Sequence, residues 1–395
     1  MSRSGSQQRT ILQMLARLRT HWRSDASLPA RIDSMLSGDR RLGSRDRRLY
    51  RELVYTALRY LPWVEPLLES DPSGAARRIA WLASESPAVS PFRRDVAGDM
   101  PECPADAEGK ARVLGADVGA LSPGWLKDEC PKALDPPLRD ILLTRAPLWV
   151  RLQTGEPAAV TTEFDARGWT WLQSPETPFA IELPIGADVA KTRAYETGMV
   201  EVQDIGSQLI LGCVEVAPGG HWLDACAGSG GKTLQLSRML GPRGTVTARD
   251  VRRAALEELM VRASRGGFGD RIRVGAGADP EGGYDGVLVD APCSGSGTWR
   301  RAPHLRWVTT TGTVRAAAEL QLRLLRENAR IVRPGGILVY ATCSLCLSEN
   351  ESVAEGFLRA APGFDAVLAG RRLMPPEHDG DAFFVASFRK GPATA

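Results

Sequence analysis

Lysine is nearly missing from this chain: of 50 basic residues only six are lysines, the others being arginine. One of the six is Lys232, in "GSGGKT". A chain that otherwise writes arginine and writes lysine there suggests a site needing a compact ammonium that the wide guanidinium fork would not fit. Long apolar runs are also missing, and no stretch reaches the length of a transmembrane span. The start, "MSRSGSQQRTILQMLARLRTHWRS", spreads arginines and has no long apolar stretch before a small-residue cleavage site, so no signal peptide is read. Histidines number four and are scattered, and "CSLC", Cys343 to Cys346, has no second C-x-x-C to complete a zinc site. No metal and no membrane partner are therefore expected. Seven cysteines, an odd number without secretory features, argue for free thiols and a reducing compartment, with cytoplasm the default.

At 395 residues the chain has room for two or three domains, and a hydrophobic fraction of 43% is that of an ordinary globular protein. Net charge is only +3, but residues 1–60 carry thirteen arginines against five acids. Blocks such as "GDRRLGSRDRRLYRE" fit a phosphate backbone as partner or a solvated helix face, and the charge run alone favours neither.

Three patterns follow one another. Residues 1–118 read as helical, with apolar residues three and four apart in "RTILQMLARLRTHW" and "SRDRRLYRELVYTALRYLPWVEPLL". Residues 119–195 are mixed: the short strand candidates "LWVRLQT", "GWTWLQS" and "FAIELP" and the helix-like "EPAAVTTEFDAR" suggest a small α+β unit. Residues 196–395 alternate strand and helix: "HWLDACAG", "TVTARD", "RIRVGAG", "YDGVLVDAP", "ILVYATCS" and "AFFVASFRK" are the strands, with helices between most of them. That alternation means a doubly wound, mostly parallel sheet, whose ligands bind beyond the carboxyl ends of the strands.

"LDACAGSGGKT" is a glycine-rich turn between such a strand and its helix. As a Walker A loop it puts Cys226 where the first glycine belongs; as a dinucleotide fingerprint it puts Thr233 at the third glycine. As an S-adenosylmethionine loop of the form D-x-G-x-G-x-G it fits Asp224, Gly228 and Gly230, again with Cys226 at the first glycine. The next strand ends in Asp250, an acid placed to take ribose hydroxyls, which favours an adenosine-containing ligand without separating S-adenosylmethionine from NAD.

Two later strands end in cysteines: "DAPCSG" carries Asp290 and Cys293, and "YATCS" carries Cys343. A redox role for Cys343 and Cys346 would leave "DAPCSG" unexplained, so Cys346 is read as packing, and Cys103, Cys130 and Cys213 as buried structural thiols. Together "DACAGSGGKT", "DAPCSGSG" and "YATCS", in this order, resemble the RsmB/Sun family of RNA 5-methylcytosine methyltransferases. "GMVEVQDIGSQL" is similar to that family's lead-in, and "TWRRAPHLRW" to its arginine-proline-tryptophan loop. The helical start resembles a NusB-like RNA-binding domain, and the middle unit an RNA-recognition-like subdomain.

The resemblance implies a Rossmann-like class I methyltransferase domain, S-adenosylmethionine as cofactor, RNA as partner and a monomeric chain in the cytoplasm. Small-subunit (16S) rRNA is the implied substrate, with tRNA, or RNA binding without turnover, as alternatives. Cys343 would be the nucleophile that adds to cytosine C6, Cys293 the second cysteine that releases product, and Asp290 and Lys232 would line the same pocket. Cys226, Ala227, Gly228, Ser229, Gly230, Gly231, Lys232, Asp250, Asp279 and Asp290 would hold the cofactor, and Arg300 and Arg301 would meet RNA. The chain departs from the family pattern at Gly228-Ser229, where Ala-Pro is usual, at His304, where aspartate is usual, and at Ala278, beside Asp279, where an acid is usual.

Overall fold

The computed structural model describes residues 2–275 and 282–392. It divides into two compact units, one of residues 1–145 with 298–311, the other of residues 146–297 with 312–395.

The first unit is helical. Its opening helix, Arg3–Leu18, is started by Ser2, whose side chain accepts the backbone N–H of Gly5, and it buries Ile11, Met14, Leu15 and Leu18 along one face. Helix Ser44–Arg59 buries Leu49, Leu53, Val54, Ala57 and Leu58 in the same core. Short helices continue to Ile141, so the helical region ends near 145, beyond the expected 118.

Residues 298–311, expected within the last domain, also belong to this unit. Trp307 Nε1 donates to Leu58 O at 2.6 Å, and Trp125 Nε1 to Thr309 O at 3.1 Å. Arg306 donates to Leu121 O and Leu142 O at 3.2 and 3.1 Å. The segment fills helix-end and loop acceptors that would otherwise lie buried and unpaired.

The second unit contains two sheets. Strands β1 (Leu148–Leu152), β2 (Leu172–Gln173), β3 (Ala180–Leu183) and β4 (Val200–Val202) form an antiparallel sheet in the order β2-β3-β1-β4. The expected boundary at 195 thus moves: "MVEV" supplies the strand that satisfies the free edge of β1, with Arg151 opposite Glu201.

The larger sheet contains β5 (His221–Asp224), β6 (Thr245–Ala248), β7 (Ile272–Val274), β8 (Tyr284–Asp290), β9 (Val332–Thr342), β10 (Phe364–Leu373) and β11 (Phe383–Lys390). Their order is β10-β11-β9-β8-β5-β6-β7, with parallel pairing from β9 through β7 and antiparallel pairing at β11 and β10. Successive residues of β8 and β9 enter different cores. Val287, Val289, Leu338 and Tyr340 join Leu325 and Phe357 of helices Thr311–Ala329 and Glu351–Ala360. Leu288, Val339 and Ala341 join Leu234, Leu259 and Ile210 of three other helices. Helices on both faces give the doubly wound architecture expected from the sequence. At Gly286 the approach is too close for any side chain, since a Cβ would lie 2.4 Å from the Trp222 ring on β5.

Among the described residues no helix is long and apolar enough to cross a membrane.

Candidate active site

The carboxyl ends of β5, β6, β8 and β9 carry every expected catalytic residue and every expected cofactor residue except Asp279, which lies outside the described residues.

The glycine-rich turn leaves β5 at Asp224 and enters helix Gly231–Leu240. Gly228 and Gly230 sit at φ 53° and 91°, left-handed conformations that favour glycine. A Cβ on Gly230 would also meet Leu259 Cδ1 at 2.0 Å, so the loop packs tightly on the helix of the next strand. Ala227 N–H donates to Arg249 O at 2.8 Å, and Gly228 N–H to Asp250 Oδ2 at 2.8 Å. Asp250 also accepts Arg252 N–H at 2.8 Å and its guanidinium Nε at 3.1 Å, and these hydrogen bonds outweigh burial and hold its carboxyl below the usual range. Val251, next to Asp250, is fully exposed.

Asp224, the acid that opens the motif, is wholly buried and accepts Thr233 Oγ1 at 2.7 Å. Burial, with Asp290 nearby, pushes its carboxyl up to about 7. It therefore organises the turn from beneath rather than facing a ligand. Cys226 is half-buried, and burial with the Asp224 and Asp290 charges pushes its thiol up to about 12. It stays protonated, a poor nucleophile.

Three residues that sequence reasoning did not single out hold this turn. Arg262 Nη1 donates to Ser229 O at 2.6 Å, and Arg151 Nη1 to Gly231 O at 2.8 Å. Buried Glu201 accepts Arg262 Nη2 at 2.8 Å and Arg265 Nη2 at 2.6 Å. The available signal was an acid amid apolar residues in "MVEV" and an arginine within "LWVRL": charges in the middle of strands are rarely buried without partners.

Lys232, on the first turn of its helix, donates to Asp290 Oδ2 at 2.8 Å and stands 5.2 Å from the Phe383 ring centroid. Its side chain is 9% exposed, so the ammonium meets Asp290 in an enclosed setting.

The two cysteines meet. β8 and β9 are parallel neighbours, paired through Asp290 and Ala341, and their ends bring Cys293 Sγ within 3.3 Å of Cys343 Sγ. The hydrogen bond to Cys343, followed by burial, raises the Cys293 thiol well above its ordinary value. Beneath them lies a hydroxyl cluster of Ser294, Ser296 and Ser344 around the buried carboxylate of Glu349. Cys346 and Cys130 are buried as expected, whereas Cys103 and Cys213 are only partly so.

Arg300 departs from expectation. Its side chain lies within the helical unit, 3% exposed, with Nη2 donating to Thr144 Oγ1 at 3.0 Å and Arg145 O at 3.1 Å. It is engaged by the unit's own acceptors and does not present itself to RNA; Arg301 is exposed. His304, which stands where the family writes aspartate, is buried and donates through Nε2 to Ala26 O at 3.1 Å. Among the described residues no group of three or more His, Cys, Asp or Glu side chains is arranged to hold a metal ion.

Residues 212–389 match the family model described as 16S rRNA methyltransferase RsmB/F. The chain is 34% identical over 306 residues to the Mycobacterium tuberculosis protein Rv1407, covering 72% of this chain and 62% of that one. It thus spans under two thirds of that relative's length. It is 31% identical over 300 residues to ribosomal RNA small subunit methyltransferase B of Salmonella arizonae, covering 70% of this chain and 68% of that protein. Among solved structures, PH0851 superposes with a TM-score of 0.73 at 22% identity, covering 92% of this chain and 94% of the other. NSun6 from Pyrococcus horikoshii, solved with SFG, superposes at 0.59 with 18% identity over 68% of this chain and 98% of its own. The structural likenesses establish the fold, and the sequence match to the Salmonella protein establishes the family: the chain belongs to the RsmB/F family of 16S rRNA methyltransferases.

Proposed function

We propose that the protein is an S-adenosylmethionine-dependent RNA cytosine-5 methyltransferase acting on small-subunit rRNA. The observation that carries this reading is the pair of thiols 3.3 Å apart at adjacent strand ends, beside the Lys232–Asp290 ion pair.

The residues at β5 and β6 fit the cofactor. The turn has left-handed glycines, Asp250 lies at its rim, and Val251 offers apolar surface that an adenine ring would cover. Bound there, S-adenosylmethionine supplies an electrophilic methyl group. Gly228 to Gly231 would cradle it, and Asp250 would take its ribose hydroxyls, with Arg252 giving way.

Carbon 5 of cytosine is a weak nucleophile. Addition of the Cys343 thiolate to C6 makes C5 enamine-like and able to accept a methyl group. Asp290, ion-paired with Lys232, would accept the exocyclic amine N–H, and the Lys232 ammonium would offset the negative charge that develops on the ring as the thiolate adds. The base must leave its stack to reach strand ends of this kind.

The thiols divide the work in time. At rest the Cys293 thiol is hydrogen-bonded with Cys343, and that bond, with burial, favours its neutral form. Once Cys343 is bonded to C6 its sulfur is a thioether, a much weaker acceptor, and the hydrogen bond that does most to hold the Cys293 proton is lost. Cys293 can then pass its proton to solvent and, as the thiolate, take the C5 proton, whose bonding electrons expel the Cys343 sulfur from C6. The methylated base is released and the Cys343 thiolate is regenerated.

The arginine excess of the helical unit and the name of the Salmonella relative support rRNA as substrate. The test incubates the full chain and S-adenosylmethionine with unmodified 16S rRNA or with tRNA, followed by bisulfite sequencing. Protection of a cytosine in 16S rRNA is expected. Protection only in tRNA would move the substrate, and binding without protection would make the protein a non-catalytic RNA-binding factor.

A further inference from the structure

Glu349 lies directly under both thiol loops and the scheme above does not use it. It is fully buried, and among the described residues no lysine or arginine ion-pairs with it. An unpaired buried carboxylate is costly, so four donors converge on it. Oε1 accepts the backbone N–H of Ser294 at 2.7 Å and Gln321 Nε2 at 3.1 Å. Oε2 accepts Ser294 Oγ at 2.5 Å and Ser344 Oγ at 2.5 Å.

Ser294 directly follows Cys293, and Ser344 directly follows Cys343. One carboxylate therefore grips the residue next to each sulfur, on loops fifty positions apart in sequence. Its partners are themselves fixed. Gln321 also donates to Pro292 O at 3.0 Å and accepts the Tyr340 hydroxyl at 2.9 Å. The backbone carbonyl of Glu349 accepts from the same hydroxyl. Neighbouring Asn350 donates to Ser344 O at 2.9 Å and accepts Thr342 Oγ1 at 2.6 Å.

We propose that Glu349 is the positioning residue of the thiol pair: it bridges Ser294 and Ser344 and so sets the separation of Cys293 and Cys343. Its relevance to methyl transfer rests on the reading given above, but the geometric claim does not. Glutamine can nearly reproduce the bridge. Its amide oxygen can take the Ser294 N–H and Gln321, and its NH2 can donate to two serine hydroxyls turned to accept. Alanine removes all four bonds.

The test uses phenylarsine oxide, which condenses with two thiols a few ångströms apart, forming two As–S bonds and releasing one water. The full chain should take one arsenical, mapped by digestion to the peptides of Cys293 and Cys343. Glu349→Ala should weaken that binding about tenfold or more, the penalty of thiols out of register. Glu349→Gln should restore it, and calorimetry should show S-adenosylmethionine affinity unchanged in both. Should Glu349→Ala fail to fold, Ser294→Ala/Ser344→Ala removes the bridged hydroxyls instead and should show the same direction of loss. Arsenical affinity equal to wild type in a folded Glu349→Ala protein, or in the double serine variant, overturns the proposal. The readout needs no RNA and no methyl transfer, so a wild-type protein that binds the arsenical but does not methylate would sink the functional reading and leave this one standing.

Discussion

The carbonyls of one half of the site and the donors of the other are held by opposite charges. At β5 and β6 the cofactor turn is fixed through its carbonyl oxygens, Ser229 O and Gly231 O, which accept from Arg262 and Arg151. At β8 and β9 the thiol loops are fixed through N–H and O–H groups that donate to Glu349. The difference teaches that each loop is held by the charge complementary to the backbone or side-chain group it turns inward. Cations grip the inward carbonyls of the cofactor turn, with Asp250 taking its Gly228 N–H, and an anion grips the thiol loops, whose donors face in. The halves should therefore fail separately.

The largest effect separates them outright. Cys343→Ala should lower methyl transfer by at least about 10³-fold while leaving S-adenosylmethionine affinity, read by calorimetry, where it was. A parallel loss of cofactor affinity would mean the two halves are one unit.

Asp224 sharpens the comparison through pH. Its folded-state pKa, about 7, lies above the ordinary 3.8. Between those values the folded chain holds the proton more tightly than the unfolded one, so this group's contribution is fully present below 3.8 and is lost as pH rises through about 7. Asp224→Asn, compared with wild type in denaturant titrations across that window, should remove the decline, which amounts to no more than about 4 kcal/mol. Parallel curves would return Asp224 to an ordinary acid.

Arg262→Ala releases Ser229 O and leaves Glu201 with Arg265 alone as its guanidinium partner. Stability in urea should fall by about 3 kcal/mol, and cofactor affinity with it, while phenylarsine oxide still bridges the thiols. Loss of the arsenical site would break the separation.

Asp250→Ala should weaken S-adenosylmethionine by about 1–3 kcal/mol, the cost of polar groups left unpaired, with RNA affinity unchanged. Normal cofactor affinity would remove Asp250 from the site. The smallest effect lies outside both halves. Arg40 and Arg48 are exposed on the helical unit. Changing either to alanine should reduce the salt slope of RNA binding by about 1 for each phosphate no longer neutralised, and an unchanged slope would place the RNA elsewhere.

Much of this was legible in the sequence, because strand ends are marked by short local signals. Alternating strands and helices give the doubly wound sheet. A turn of small residues after "HWLD", an acid after "TVTAR" and two cysteines after apolar runs put the site at the carboxyl ends. What was not legible depends on partners far apart in the chain. Glu349 meets Ser294 across 55 positions, and Arg262 meets Glu201 across 61. Edge strand β10 was missed because most of it is exposed and its pairing with β11 shifts register twice, which leaves no alternating pattern to read. Arg300 was misjudged because an arginine pair in a loop looks like a phosphate-binding element. Only the fold shows that Thr298–Thr311 belongs to the helical unit, where that guanidinium meets internal acceptors.

The central claim is that one thiol adds and the other releases. Wild type, Cys343→Ala, Cys293→Ala and the double variant, incubated with 16S rRNA and S-adenosylmethionine and run on a denaturing gel, test it directly. Cys293→Ala should accumulate a shifted, nuclease-sensitive band, while Cys343→Ala and the double variant show none. A shifted band in Cys343→Ala with none in Cys293→Ala would reverse the roles, and methylation surviving in Cys343→Ala without any band would contradict the thiolate mechanism.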